Sequence, residues 1–185
     1  MKTVAVLCAA RNSIYHEIPE CDVYDADRDA RTFDGSLPVI AHPPCRAWSA
    51  YCAHQAKPEP GEKELGLWCC QMVIRCGGIL EQPAHSRLFA AGGLQHPGKG
   101  IADLWTANVW QSWWGHPVSK NTWLCFSKIP QNTVEFPFRL HDQRGDRRKW
   151  QVMSQNQRSQ TCESLARWMV KYAKEARNAK RTADS

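Results

Sequence analysis

Long apolar runs are missing from this sequence. No stretch of the 185 residues approaches the roughly 18 consecutive apolar residues that a membrane-spanning helix needs. The opening "MKTVAVLCAARNS" is too short and wrongly flanked for a secretory signal peptide. Internal repeats and low-complexity linkers are absent as well. We therefore expect a cytoplasmic protein that has no membrane partner.

A disulfide framework of the kind found in secreted domains is also missing. The nine cysteines are odd in number, and their spacing matches no pattern of small extracellular domains. In a reducing compartment we expect most of them to be thiols that pack as small apolar side chains.

Ligands for zinc are present, but not in a usual arrangement. The candidates are His42, Cys45, Cys52, His54 and His85. Their spacing, His-x2-Cys followed by Cys-x-His, matches no common closed tetrahedral site. We predict no bound metal.

Positive charge is present and unevenly distributed. The chain has 24 Lys and Arg against 18 Asp and Glu, a net charge of +6. Much of the excess lies in "RLHDQRGDRRK" (139–149) and in the tail from Arg167 to Arg181. This favours contact with a polyanion such as DNA, although a solvated basic surface explains the tail equally well. The predicted contact residues are Arg144, Arg147, Arg148 and Lys149.

Strand and helix patterns alternate along the chain. Five short, mostly apolar segments are typical of strands: "TVAVLCA" (3–9), "CDVYD" (21–25), "LPVIAH" (37–42), "GILEQP" (78–83) and "NTWLCFSK" (121–128). Helices are predicted over three segments: residues 62–76, the Trp-rich residues 100–114 and residues 163–180. The pattern predicts one compact α/β domain over residues 1–175, with a three-layer, Rossmann-like, mostly parallel sheet. Residues 176–185 form a basic, frayed tail.

Three reactive side chains directly follow predicted strands. Asp25, Cys45 and Glu81 each stand where a strand ends. In α/β sheets the chemistry is found at the carboxyl ends of the strands, so we expect these three residues at one edge of the sheet.

Ordered motifs give the chain a resemblance to a known family. "PPCRAWS" (43–49) is similar to the Pro-Pro-Cys-Gln-x-Phe-Ser motif of DNA cytosine-5 methyltransferases, and "LEQP" (80–83) to their Glu-Asn-Val/Pro motif. "GHPVSKNTWLCF" (115–126) is similar to their Gly-Val-Pro-Gln-x-Arg-x-Arg strand, with Lys120 replacing the first arginine. The chain resembles small bacteriophage proteins related to these enzymes even more closely. The resemblance implies a methyltransferase-like fold and, for a phage protein, the cytoplasm of a bacterial host.

The resemblance also implies how the residues act on a pyrimidine. Cys45 is the nucleophile that adds to ring carbon 6, and Glu81 meets the ring at nitrogen 3. Lys120 and Arg46 are expected to lower the pKa of the Cys45 thiol. Trp48, Ser49 and His85 are expected to line the substrate pocket.

The usual donor of these enzymes is S-adenosylmethionine, and part of its site has counterparts here. Asp25 would take the ribose and Asp27 the adenine, beside the backbone of Pro43 and Pro44. The family's Phe-x-Gly-x-Gly loop corresponds to "LCAARNSI" (7–14), which has no glycine. We therefore predict weak or no binding of S-adenosylmethionine, because side chains stand where the backbone must approach the donor.

A large target-recognition region is missing as well. Residues 127–158 leave too little chain for a domain that reads duplex DNA. The sequence thus predicts modification of a pyrimidine base in DNA or in a nucleotide. The alternative is a methyltransferase-like protein that binds DNA or a nucleotide without catalysis, acting against host defence.

Overall fold

The computed structural model describes residues 1–49, 57–101, 103–137, 152–154, 157 and 160–176. Six strands lie within these residues: β1 (Val4–Leu7), β2 (Cys21–Tyr24), β3 (Val39–Ala41), β4 (Gly78–Pro83), β5 (Leu104–Trp110) and β6 (Asn121–Ser127). The α-helices are α1 (Glu62–Cys76), α2 (Leu88–Ala91) and α3 (Glu163–Ala173). Short 3-10 turns occur at Ile14–Glu17, Ala30–Thr32, Arg46–Trp48, Gln111–Trp114 and Gln131–Thr133. None of the described helices is both long and apolar enough to cross a bilayer.

The six strands form one mixed sheet in the order β2-β1-β3-β4-β6-β5. The first four are parallel, with Val4 opposite Cys21, Ala5 opposite Val39, and Val39 opposite Gly78. β6 runs antiparallel to both β4 and β5. The predicted α/β class is confirmed, and the sheet combines a parallel part with an antiparallel hairpin.

Helices cover both faces of the sheet, because successive residues of each buried strand point to opposite sides. On one face the strands pack with α1 and α2, in a cluster that includes Leu7, Val39, Leu80, Cys69 and Phe89. On the other face they pack with α3, in a cluster that includes Val6, Ile40, Ile79, Leu165 and Met169.

The helix predicted over residues 100–114 is wrong. Residues Leu104–Trp110 form β5, and only Gln111–Trp114 make a helical turn. The spacing of Trp110, Trp113 and Trp114 suggested a helix, but β5 pairs along its whole length with β6. Aromatic and β-branched side chains suit such a half-buried strand, so tertiary pairing prevails over the local pattern.

Candidate active site

The candidate site lies at the edge of the sheet where the parallel strands end. β1 to β4 are parallel, so Asp25 and Cys45, which follow β2 and β3, lie towards the same edge as Glu81 in the second half of β4. β6 is antiparallel and begins at this edge, where Thr122 lies opposite Pro83. The connection between β5 and β6 therefore also reaches the edge, and it contributes Gln111 and Lys120.

Glu81 is a buried carboxylate with three donors around it. Its side chain is only 9% exposed. The ring of His42 approaches Oε2 with Nδ1 at 3.1 Å, and Gln111 donates from Nε2 to Oε1 at 3.0 Å. The ammonium of Lys120 lies 3.7 Å from Oε1. Lys120 and Glu81, both predicted from the sequence, are thus brought together as an ion pair.

These partners keep Glu81 ionised. Burial by itself would raise the pKa of the carboxyl, but the charge of Lys120 and the hydrogen bond and charge of His42 together outweigh it and lower the pKa to about 2. A buried charge is tolerated when it is paired and hydrogen-bonded in this way. At neutral pH Glu81 is therefore an acceptor of hydrogen bonds.

Two of the groups that contact Glu81, Gln111 and His42, are themselves held by hydrogen bonds to further residues. Gln111 also donates to Oγ1 of Thr122 at 3.1 Å, and Nε2 of His42 lies 3.0 Å from the hydroxyl of Tyr15. The sequence prediction assigned no role to Tyr15, Gln111 or Thr122, and it considered His42 only as a metal ligand. His42 directly precedes the prolines of "AHPPC", which is the one local signal for its position. Tyr15 lies in the turn between β1 and β2 and Gln111 directly follows β5, and neither carries a local signal of its position.

Cys45 lies in the loop that follows β3 and begins the turn Arg46–Trp48. Gln82 of β4 donates from Nε2 to the carbonyl of Pro43, which ties this loop to the strand that carries Glu81. Pro43 is buried and Pro44 half-buried. Because a proline ring fixes φ, the two prolines restrict the backbone that presents the thiol.

The Cys45 thiol is accessible, and both charges of the Glu81–Lys120 pair act on it. Of the cysteines that the structure describes, Cys45 alone is exposed. Nonetheless, surrounding protein raises its pKa, the charge of Glu81 raises it further, and the charge of Lys120 opposes them. The expectation of a lowered pKa is thus wrong, because burial and Glu81 together outweigh Lys120.

Arg46 is engaged elsewhere. Its guanidinium pairs with the carboxylate of Glu62 in the first turn of α1 and lies 3.8 Å from Glu59. The hydrogen bond with Glu62 is the main reason that the pKa of Arg46 is raised. Arg46 therefore anchors the Cys45 loop to α1, and Cys45 makes the smallest of the contributions that raise the pKa of Arg46.

The predicted pocket residues occupy three different environments. Trp48 is buried in the cluster under α1, where a Cβ on Gly66 would lie 2.5 Å from its Nε1, so core packing accounts for its ring. Ser49 is half-buried. His85 is exposed with a positive φ of 65°, and its ring centroid lies 5.1 Å from that of Trp123.

The acids predicted to bind a donor are already engaged with the protein. Asp25 accepts backbone hydrogen bonds from Asp27 at 2.9 Å and Arg28 at 3.1 Å, which, led by the Asp27 amide, lower its pKa. Its other oxygen lies 3.2 Å from Nε2 of His16. The carboxylate of Asp27 is paired with Arg11 at 2.8 Å.

The loop after β1 does not suit S-adenosylmethionine either. Cys8 adopts a left-handed conformation, with φ of 60°, without being glycine, and residues 8–13 contain no glycine that would allow close backbone approach. With Asp25 and Asp27 already paired within the protein, these residues do not fit S-adenosylmethionine.

Two sequence predictions concern residues outside the part of the chain that the structure describes. Arg144, Arg147, Arg148 and Lys149 lie outside the described residues, as do residues 177–185 of the basic tail. Cys52 and His54 lie outside them too. Within the part of the chain that the structure describes, no group of three or more His, Cys, Asp or Glu is placed to hold a metal.

No protein-family model, curated protein or solved structure matches this chain.

Proposed function

We propose that the protein modifies a pyrimidine base, in DNA or in a nucleotide, through addition of Cys45 to ring carbon 6. The observation that carries the proposal is the position of the Cys45 thiol. It is the exposed cysteine of the described residues, and the charges of Glu81 and Lys120 both act on it. A nucleophile, a carboxylate and a cation thus act on one another electrostatically at this edge of the sheet.

The chemistry of addition uses each of these groups. As the bond between sulfur and carbon 6 forms, the electrons of the ring's C5=C6 double bond shift towards nitrogen 3 in cytosine and towards the oxygen on carbon 4 in uracil. The proton that leaves the thiol is balanced by a proton taken up at that atom, and the ionised Glu81 accepts a hydrogen bond from the protonated nitrogen 3. Lys120 can bind a carbonyl oxygen of the ring and stabilise the charge that develops there. Carbon 5 then becomes enamine-like and reacts with an electrophile.

The order of the parallel strands supports a Rossmann-like site. From β1 the chain proceeds outward to β2 on one side and to β3 and β4 on the other. The order therefore reverses between β1 and β3, and ligands of such sheets bind at the carboxyl ends beside this reversal. The loop that carries Cys45 follows β3, which borders it.

Exchange of the hydrogen at carbon 5 with solvent tests the proposal without any donor. Reversible addition of Cys45 lets carbon 5 take up a deuteron and lose its proton before the thiolate leaves. We expect dCMP, dUMP or a single-stranded oligodeoxynucleotide in D2O to gain one deuterium with the wild-type protein. Cys45→Ser should abolish the exchange, and Cys162→Ser, which changes a half-buried thiol at the start of α3, should retain it. No exchange with any of these substrates would contradict the proposal.

A protein that binds without catalysis is the second candidate. The raised pKa of Cys45 and the engaged Asp25 and Asp27 favour it. In that case Cys45→Ser leaves calorimetric binding of the same nucleotides unchanged, and no variant shows exchange.

A further inference from the structure

Behind Glu81, a buried histidine and a buried tyrosine continue the hydrogen-bond chain into the core. His42 is in contact with Glu81 through Nδ1 and with the Tyr15 hydroxyl through Nε2, at 3.1 and 3.0 Å. The His42 side chain is 12% exposed, and Tyr15 is 1% exposed. The two rings pack with their centroids 5.4 Å apart.

The chemistry of the two ends fixes the direction of this chain. The Glu81 carboxylate is bound by Lys120 and Gln111 on its other oxygen and offers only lone pairs, so Nδ1 of His42 must donate to it. When the ring is neutral, Nε2 is then the acceptor; the charge with which His42 lowers the pKa of Glu81 belongs to the ring protonated on both nitrogens. Burial keeps the Tyr15 hydroxyl protonated, because it raises the pKa of Tyr15 well above its usual value. Tyr15 therefore donates to Nε2, and the order is Tyr15 O–H to His42 to Glu81.

We propose that His42 and Tyr15 are positioning residues for Glu81, with Tyr15 holding the His42 ring in the orientation in which its Nδ1–H binds the carboxylate. The proposal rests on the proposed function in that Glu81 must meet the pyrimidine ring. A carboxylate held on both oxygens keeps one rotamer, and misplacing such a group by about 1 Å can cost about 100-fold in rate.

The direction of the chain can be tested on the free protein. Nitrogen-15 NMR distinguishes a neutral histidine protonated on Nδ1 from one protonated on Nε2. We expect the Nδ1–H form for His42, and a change in the Nε2 signal in Tyr15→Phe. Tyr24→Phe is the matched control, because it removes a buried tyrosine hydroxyl that bonds to Asp22 instead. A wild-type His42 ring protonated on Nε2 would overturn the proposal.

The effect through Glu81 can be tested with exchange at carbon 5. We expect His42→Leu to lower the exchange rate about 10–100-fold with little change in KM. His42→Asn should restore part of the rate, because its amide can donate from near the position of Nδ1. In a Glu81→Gln background His42→Leu should have little further effect, since coupled residues are not additive. Full activity of His42→Leu would contradict the positioning role while leaving the proposed function intact.

A readout without substrate separates failure of this inference from failure of the proposed function. The charge of Glu81 acts on Cys45, so alkylation of Cys45 by iodoacetamide reports the position of the carboxylate. We expect His42→Leu to change the alkylation rate at least twofold in the wild-type background and not in Glu81→Gln. The same rate change in both backgrounds would overturn the inference, whether or not the wild-type protein shows exchange.

Discussion

At the scale of single residues, Glu81 connects the candidate site to the stability of the fold. Its pKa is about 2 in the folded protein, against an ordinary value of 4.5. Because folding lowers the pKa, the ionised carboxylate stabilises the folded state above about pH 4.5, and this contribution is lost as the pH falls towards 2. The shift corresponds to about 3 kcal/mol.

The pH dependence of unfolding should therefore differ between wild type and Glu81→Gln. At pH 7 we expect the variant to be less stable by about 3 kcal/mol, because Lys120 loses its buried counter-charge. As the pH falls from 4.5 towards 2, the difference should shrink, since the wild-type carboxylate becomes protonated. Urea unfolding of both proteins between pH 7 and 2.5 measures it. A difference that stays constant over this range would show that the charge of Glu81 is not what stabilises the fold.

Single residues also show how far the sequence predicts this site. Cys45, Glu81 and Lys120 belong to ordered motifs, and the structure brings Lys120 and Glu81 into contact. The pKa of Cys45 could not be predicted, because it depends on the sum of burial and two opposed charges. His42 and Tyr15 are 27 positions apart and meet only because β1 and β3 are neighbours.

At the scale of elements, the parallel strands were predictable and the hairpin was only half predictable. Short apolar runs locate β1, β3 and β4 because these strands are buried on both faces. β5 carries a polar Asn108 and two tryptophans, Trp105 and Trp110, and its identity depends on pairing with β6. Local spacing cannot report such a pairing, which explains the wrong helix over residues 100–114.

The contact between β3 and β4 requires glycine at one position. Gly78 has φ of 127°, and a Cβ there would lie 1.9 Å from the carbonyl oxygen of Val39. We expect Gly78→Ala to destabilise the fold by about 3–5 kcal/mol, since backbone strain and a clash with backbone combine. Gly93→Ala is the matched control: its φ is 71° but nothing lies within 4 Å, so it should cost about 1 kcal/mol. Equal losses in thermal unfolding of the two variants would contradict this account of β4.

At the scale of the whole molecule, the two faces of the sheet carry apolar side chains, whereas its carboxyl edge carries charged ones. The faces are covered by α1 and α2 on one side and α3 on the other, and they form the core. The carboxyl edge holds buried charge in the Glu81 network and exposed ion pairs such as Arg11 with Asp27. The described part of this edge thus pairs several of its charges within the protein.

Residues 139–149 are the segment whose charge we expect to contact DNA. Substituting Arg144, Arg147, Arg148 and Lys149 with glutamine should weaken binding of an oligodeoxynucleotide and flatten its salt dependence. Each lost phosphate contact reduces the steepness of log K against log salt by about 0.9 on duplex and about 0.7 on single strands.

A control with the same loss of charge replaces four exposed lysines, Lys2, Lys57, Lys63 and Lys99, and should leave the slope unchanged. Fluorescence anisotropy between 50 and about 200 mM salt covers the useful range. If both sets reduce binding equally, net charge and not a contact surface attracts the DNA; if neither does, a free nucleotide becomes the favoured substrate.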